Sequence, residues 1–320
     1  MDGEAAQEGK AMHLEGIHHI SCITGDAPGN VEFYVGLLGM RLVKKTVNQD
    51  DPSVYHLFYG DEQGSPGFDL TFFEYPGAAP GMPGPGMIHR IVWRVRSADS
   101  IAWWRDRLEA AGVETAGEGD TLLFAVPEGL AHELIVYDGP DPDLIPLHSE
   151  VPPEQAMRGF DSGRAWSVNG PATASGLGDL LGFEQSGPDS WTTTDGGRTG
   201  TYVLDDPPGH YGRPGAGTVH HIAWATRLDQ QEAWQERVSS SGLFATPVID
   251  RFYFQAVYFR EPGGVLFELA TMGPGFATDE EPEALGEGLA LPPDFEAIRD
   301  QVEPHLTPLP DVRQWRPTAS

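Results

Sequence analysis

Four short β-prone openings recur along this chain, and that fourfold repeat constrains the fold more than any local signal. They are Gly16-Ile17-His18-His19-Ile20-Ser21, Met87-Ile88-His89-Arg90-Ile91-Val92, Arg158-Gly159-Phe160-Asp161-Ser162 and Thr218-Val219-His220-His221-Ile222-Ala223, spaced 60 to 71 residues apart. A helical pattern follows each, over residues 27–38, 99–111, 172–181 and 230–241. Further β-prone runs close the units, as at 54–59 with 68–73, 122–126 with 133–137, and 252–259 with 265–269. The repeating unit is therefore strand, helix and three strands. The pattern predicts an α+β chain of four βαβββ modules.

Glycines and prolines at 76–86 and 139–153 punctuate the unit boundaries. They divide the chain into an N-terminal domain, 1–150, and a C-terminal domain, 151–273. The first would hold modules at about 14–80 and 86–140, the second modules at about 157–206 and 217–273. Residues 274–320 read as a tail, acidic at first and helical over about 294–305, that docks or wraps without chemistry of its own.

Charge narrows the partners. The 320 residues carry 48 acidic against 20 basic side chains, a formal charge of −28. A field of that sign repels phosphates, which excludes nucleic acid as the primary partner. No apolar run approaches the ~20 residues of a membrane span, and residues 1–10 lack a signal peptide's apolar region. These features read as a cytoplasmic protein without a membrane partner; a homo-oligomer is compatible with them. Acidic excess with only Lys10, Lys44 and Lys45 fits a salt-adapted surface, and equally an acidic protein from a GC-rich genome.

Cys22 is the single cysteine, so neither an internal disulfide nor a thiolate metal cluster can form. Chemistry must come from His, carboxylates and Tyr. Strand side chains alternate faces, so His18 and His19 should point to opposite sides, as should His220 and His221. If His19 and Ser21 face inward, His18 supports them from behind or lies at a module interface. Two His-His pairs at equivalent repeat positions point to a shared metal site. In Glu261-Pro262-Gly263-Gly264-Val265-Leu266-Phe267-Glu268-Leu269, a turn precedes a carboxylate inside an otherwise apolar strand, where it is costly unless paired or metal-bound. Two neutral imidazoles and one carboxylate leave adjacent positions open, which suits Fe(II) binding a substrate and dioxygen together.

Arg251, Tyr253 and Tyr258 lie on the strand before that turn. A one-residue bulge at Gly263 or Gly264 would set Tyr258 opposite Glu268, where it could move a phenolic proton; a plain register would leave it a core tyrosine. Glu74 and Glu133 read as the repeat counterparts of Glu268, and Asp161 as the third-module counterpart of His19 and His221. His89 with Glu133 reads as a remnant of duplication, although a second site is open to it. Trp103 and Trp104 fit the packing face of a helix.

These features together resemble the vicinal oxygen chelate superfamily, and more closely its ring-cleaving dioxygenases of the hydroquinone and chlorohydroquinone 1,2-dioxygenase type. The resemblance runs through 14–25, through 47–67 with its Tyr55-His56-Leu57-Phe58-Tyr59-Gly60-Asp61, through Arg158-Gly159-Phe160, and through 219–222 and 251–268. It implies modules paired into cupped mixed sheets, with a metal held by His19, His221 and Glu268. It implies supporting or catalytic roles for His18, Ser21, His220, Arg251 and Tyr258, with Ser21 where a threonine can occur. The first and fourth modules would build the site.

The implied activity is Fe(II)-dependent, extradiol-type cleavage of a hydroquinone or catechol-like dihydroxybenzene with O2, as in aromatic compound degradation. Mn(II), Zn(II) or Ni(II) could take the iron's place in a crystal. Tyr258 or a supporting histidine would receive the phenolic proton, and His220 and Arg251 would stabilise oxyanion charge. Two other readings stay open. A glyoxalase-type metal isomerase or lyase would recruit Glu74 as a fourth ligand, and a metal-free small-molecule-binding module would leave the histidines at interfaces.

Overall fold

The computed structural model describes residues 12–193 and 197–316. The first module runs β1 (Ile17–Thr24), α1 (Ala27–Val31) with a π-helical continuation over Glu32–Leu37, β2 (Arg41–Asn48), β3 (Asp51–Gly60) and β4 (Asp69–Glu74). The second comprises β5 (Met87–Val95), α2 (Ala98–Ala110), β6 (Thr115–Ala116), β7 (Thr121–Ala125) and β8 (Ala131–Val136). In the third come β9 (Phe160–Trp166), α3 (Gly170–Ser175), β10 (Glu184–Gly187), β11 (Ser190–Thr193) and β12 (Gly200–Asp205). The fourth has β13 (Thr218–Thr226), α4 (Gln231–Ser240), β14 (Ile249–Asp250), β15 (Phe254–Arg260) and β16 (Leu266–Pro274). The expected four βαβββ modules are all present. Small polar caps start three of the helices: Asp26 accepts from Gly29 N, Ser97 from Ser100 N and Asn169 from Ala172 N.

Two eight-stranded sheets result, ordered β14-β15-β16-β13-β1-β4-β3-β2 and β10-β11-β12-β9-β5-β8-β7-β6. The first and fourth modules share one sheet through the antiparallel pair β1–β13, and the second and third share the other through β5–β9. Each sheet thus draws one module from either side of residue 150, so the sheets do not follow the division at that residue. Gly163 in β9 admits Ile222 of β13; a Cβ at 163 would lie 2.9 Å from the Ile222 Cδ1 methyl. The two sheets pack closely at this seam.

Helical structure spans the expected 294–305 in pieces: Pro293–Glu296 is one α turn and Arg299–Val302 another, which runs on into a 3-10 turn at Glu303–His305. Pro304 lacks the N–H that a continuous helix would use there. The tail begins against the first sheet. Phe276 packs on Phe58 and Tyr253, with ring centroids 4.9 and 5.5 Å away. Lys44, fully buried, pairs with Asp279 at 2.7 Å and with Glu280, and lies 4.7 Å from the Tyr253 ring. No described helix is long and apolar enough to cross a membrane. Trp104 is buried and donates to the Gln155 carbonyl at 2.7 Å, a packing role as expected.

His132 is buried in the second module, accepting from Trp93 Nε1 at 2.9 Å, with Nε2 2.9 Å from the Tyr34 hydroxyl. Burial pushes its pKa down to about 3. Below pH 6.5 the unfolded chain takes up this proton while the fold does not. Stability contributed by neutral His132 is therefore lost as pH falls from 6.5 towards 3, at up to about 1.4 kcal/mol per pH unit. Urea unfolding at pH 7 and pH 5 should show a shallower pH slope for His132→Gln than for the unaltered protein. Equal slopes would remove His132 from the account.

Candidate metal centre and substrate pocket

The strand register of the first sheet assembles the centre. Ser21 pairs with His221 and His19 with Ala223 across β1–β13, while Ala223 pairs with Glu268 across the parallel β13–β16. His19, His221 and Glu268 thereby meet on one face, 2, 3 and 0% exposed. Glu268 Oε2 lies 2.8 Å from His221 Nε2 and 3.1 Å from His19 Nε2, and the two Nε2 atoms lie 3.2 Å apart. Among the described residues no other group of three or more His, Cys, Asp or Glu side chains brings its ligand atoms this close together.

Each His-His pair sits on a β-bulge. Between Ile17 and His19, β1 advances two residues against one on β13, which makes His18 the extra residue. Between Ser21 and Cys22 the excess falls on β13, at His220. The two histidines of a pair, expected on opposite sides, are brought together instead: His18 Nδ1 lies 3.0 Å from His19 Nδ1, and His220 Nδ1 lies 2.7 Å from His221 Nδ1. A bulge breaks the alternation on which that expectation rested.

This contact settles a tautomer. His18 Nε2 faces the Thr271 carbonyl at 3.1 Å and must donate to it. Burial, reinforced by the neighbouring His19, pushes the His18 pKa down to about 3, so the ring is neutral and its Nδ1 accepts. His19 Nδ1 then carries the hydrogen, which leaves the Nε2 lone pair aimed at Glu268. The pair His220–His221 repeats the Nδ1–Nδ1 contact at 2.7 Å, with His220 exposed and its Nε2 without a partner among the described residues. Neither oxygen of buried Glu268 has a hydrogen bond of good geometry. Burial alone would raise its pKa, so keeping it ionised takes positive charge on the side of His19 and His221. Lone pairs converging on a buried, orphaned carboxylate are the donor set of a divalent cation, and the residues fit one.

The register also identifies what stands at the repeat counterparts. Ser21 pairs with Thr71 on β4 as Ala223 pairs with Glu268 on β16, so Thr71 occupies the position that was expected of Glu74. Glu74 pairs with Thr24 three residues further along and faces Ala27 and Thr307. In the second sheet the bulge residues are His89 and Asp161. Ser162, one residue beyond Asp161, is the counterpart of His19, while Arg90 is that of His221. Arg90 donates to Glu133 at 3.0 Å, placing a guanidinium where the first sheet offers a histidine. His89 bonds Asp205 at 2.8 Å and stacks on Trp166, away from Glu133. The His89–Glu133 pairing therefore does not form.

A cavity lined by His19 and His221 opens beside the centre. The chain turns at 262–264 with Gly264 at φ +100°, and Glu261 N donates to Val265 O. That turn sets Tyr258 directly opposite Glu268, the arrangement that required an extra residue. Burial and then the Glu268 carboxylate push the Tyr258 phenol well up, against the opposing Arg251, so it is protonated at neutral pH. The Arg251 guanidinium lies 5.5 Å from the Tyr258 ring and grips Asp50 with two bonds of 3.1 and 2.9 Å, while Gln49 donates to the Arg251 carbonyl. The β2–β3 tip thus clasps the fourth module across the mouth. Ser21 is buried and bonds Thr71 at 2.7 Å; His18 and His220 stand behind His19 and His221 rather than lining the cavity.

Asn48, His56 and Asp50 also line the cavity, and none of them was singled out from the sequence. A histidine among Tyr55, Leu57, Phe58 and Tyr59 is the signal in the sequence that marks His56.

Comparison with known proteins agrees with this architecture. The family model described as Glyoxalase/Bleomycin resistance protein/Dioxygenase superfamily matches residues 16–124 and 171–269. The Bacillus subtilis (strain 168) protein named "Putative ring-cleaving dioxygenase MhqO" is 41% identical over 313 residues, covering 95% of this chain and 99% of its own. The chlorohydroquinone/hydroquinone 1,2-dioxygenase of Sphingobium indicum is 35% identical over 319 residues, 90% of this chain and 95% of its own. A crystal structure of a dioxygenase, so named provisionally, from Bacillus subtilis subsp. subtilis str. 168 superposes with a TM-score of 0.85 at 40% identity, covering 94% of this chain and 99% of that one. Glyoxalase I from Zea mays shares the fold alone, with a TM-score of 0.57 at 16% identity over 80% of this chain and 92% of its own. With the modules, their paired sheets and the family match in agreement, the chain belongs to the glyoxalase/bleomycin resistance protein/dioxygenase superfamily.

Proposed function

We propose that this protein is an Fe(II)-dependent, extradiol-type dioxygenase that cleaves the ring of a hydroquinone or related dihydroxybenzene with O2. The observation that carries this reading is the buried face of His19, His221 and Glu268 with Thr71, a neutral side chain, at the first-module counterpart of Glu268. Three protein ligands on one face leave neighbouring positions for a phenol oxygen and dioxygen, and iron bound there would supply electrons between them. Thr71 in place of a carboxylate disfavours the four-ligand isomerase. The relatives named for ring cleavage of hydroquinones support the substrate class.

The protein's own groups have definite tasks. Phe58, Phe73 and Phe254 give the cavity aromatic walls that hold a flat ring and exclude water. Tyr258 stands over Glu268, where its protonated hydroxyl, which cannot itself receive the phenolic proton, donates to the phenol oxygen being bound and acts as a proton donor in turnover. Arg251, fixed by Asp50, adds positive charge beside that oxygen. His18 and His220 keep the Nε2 lone pairs of His19 and His221 turned to the centre.

Loading the protein anaerobically with Fe(II), then measuring oxygen uptake across hydroquinones and catechols, tests the proposal. One O2 should be consumed per ring opened. No uptake with iron, together with thiol-dependent isomerisation when Ni(II) or Zn(II) is bound, would replace it with the isomerase.

A further inference from the structure

On the cavity wall across from Tyr258, β3 places a histidine to which no task has been given. His56 lines the cavity, flanked by Phe58 and Phe73 with ring centroids 4.0 and 4.2 Å away. Its Nε2 lies 3.0 Å from Thr71 Oγ1, which in turn lies 2.7 Å from Ser21 Oγ. Ser21 and Thr71 are fully buried.

The direction of this chain of bonds follows from counting hydrogens. Among the described residues the Ser21 hydroxyl has Thr71 Oγ1 as its side-chain partner, so its hydrogen goes there. Thr71 then donates to His56 Nε2. Burial, followed by the nearby His19 and His221, holds the His56 pKa well below its ordinary value, so the ring carries one hydrogen, on Nδ1. Nδ1 has no partner among the described residues and is not sealed from the cavity. The reverse direction would leave the buried Ser21 hydrogen without an acceptor, at a cost.

We propose that His56 is a substrate-binding residue whose Nδ1–H donates to the second ring oxygen of the diol. This inference rests on the proposed function. A ring whose first oxygen lies beside Glu268 and Tyr258 turns its far side to the β3 wall, where Nδ1 is the unpartnered donor. His56 would then distinguish a diol from a phenol with a single oxygen.

Two substitutions separate this role from a structural one. His56→Asn keeps an amide nitrogen near the place of Nδ1 but is too short to reach Thr71; His56→Gln keeps the Thr71 contact and loses the Nδ1 donor. Binding of hydroquinone and of phenol is measured on the Fe(II)-loaded protein without oxygen, and KM for hydroquinone with it. His56→Gln should weaken hydroquinone binding about 10-fold, the worth of one hydrogen bond to a buried partner, and leave phenol binding unchanged. His56→Asn should retain most of the hydroquinone affinity.

Unchanged hydroquinone binding in His56→Gln overturns the inference, as does loss confined to His56→Asn, which would mark the Thr71 contact as the one that matters. General misfolding is separated because it would weaken both ligands. An unaltered protein that neither binds nor cleaves any dihydroxybenzene would sink the proposed function and this inference with it. Cleavage by the unaltered protein with full binding by His56→Gln sinks this inference alone.

Discussion

Glu268→Gln is expected to abolish bound iron and ring cleavage together. The substitution changes one charge on a side chain that is 0% exposed and that faces His19 and His221 at 3.1 and 2.8 Å. An imidazole brings no negative charge, so the carboxylate supplies the one negative charge of the three. A neutral amide leaves the divalent charge uncompensated in a buried site, and its NH2 group presents hydrogens where a lone pair is needed. Affinity should fall by more than the 10–100-fold typical of removing an outer partner of a metal site. His221→Ala should do the same by removing a donor outright. Metal content per chain after dialysis against Fe(II) buffer, read beside a melting curve, checks both. Full iron occupancy in either variant would sink the assignment of that ligand.

Tyr258→Phe should separate what those variants lose together: iron stays, while turnover falls by about 10²–10⁴, the usual worth of a positioned acid or base. Tyr258 pairs with Glu268 across β15–β16 and presents a protonated phenol, because burial and the facing carboxylate raise its pKa. Phe retains the packing of the ring, so iron content and melting temperature should match those of the unaltered protein. The loss belongs in kcat more than in KM, since the proton is moved during reaction rather than in forming the aromatic contacts. Undiminished turnover in Tyr258→Phe would leave Tyr258 as a wall residue and pass proton transfer to another group.

Several parts of the centre were legible before any coordinates. The histidines of 18–19 and 220–221 stand at matched points of a repeat, and Glu268 interrupts an apolar strand; both signals are local and survive without knowledge of the fold. Tyr258 was legible conditionally, since its place depended on one extra residue in the turn, which Gly264 at φ +100° provides. Glu74 shows the limit of repeat alignment. Modules differ in loop length, so counting along the chain shifted the first-module counterpart of Glu268 by three residues, from Thr71 to Glu74. Asp161 was misaligned by one for a related reason: it is the bulge residue, and Ser162 follows it into the paired position.

The sequence by itself determined the module, its fourfold repetition and the chemical types of the three candidate ligands. Periodicity and composition act between residues close along the chain, where the backbone geometry of strand and helix applies directly. Only the tertiary structure decided which modules share a sheet, that His18 and His220 turn back onto their neighbours, and that His56 joins Ser21 through Thr71. Each of these depends on hydrogen-bond register between strands 35 to 202 residues apart, as between Ser21 and His56 or between His19 and His221. A single bulge moves such a register by one residue and so exchanges the faces of every side chain beyond it.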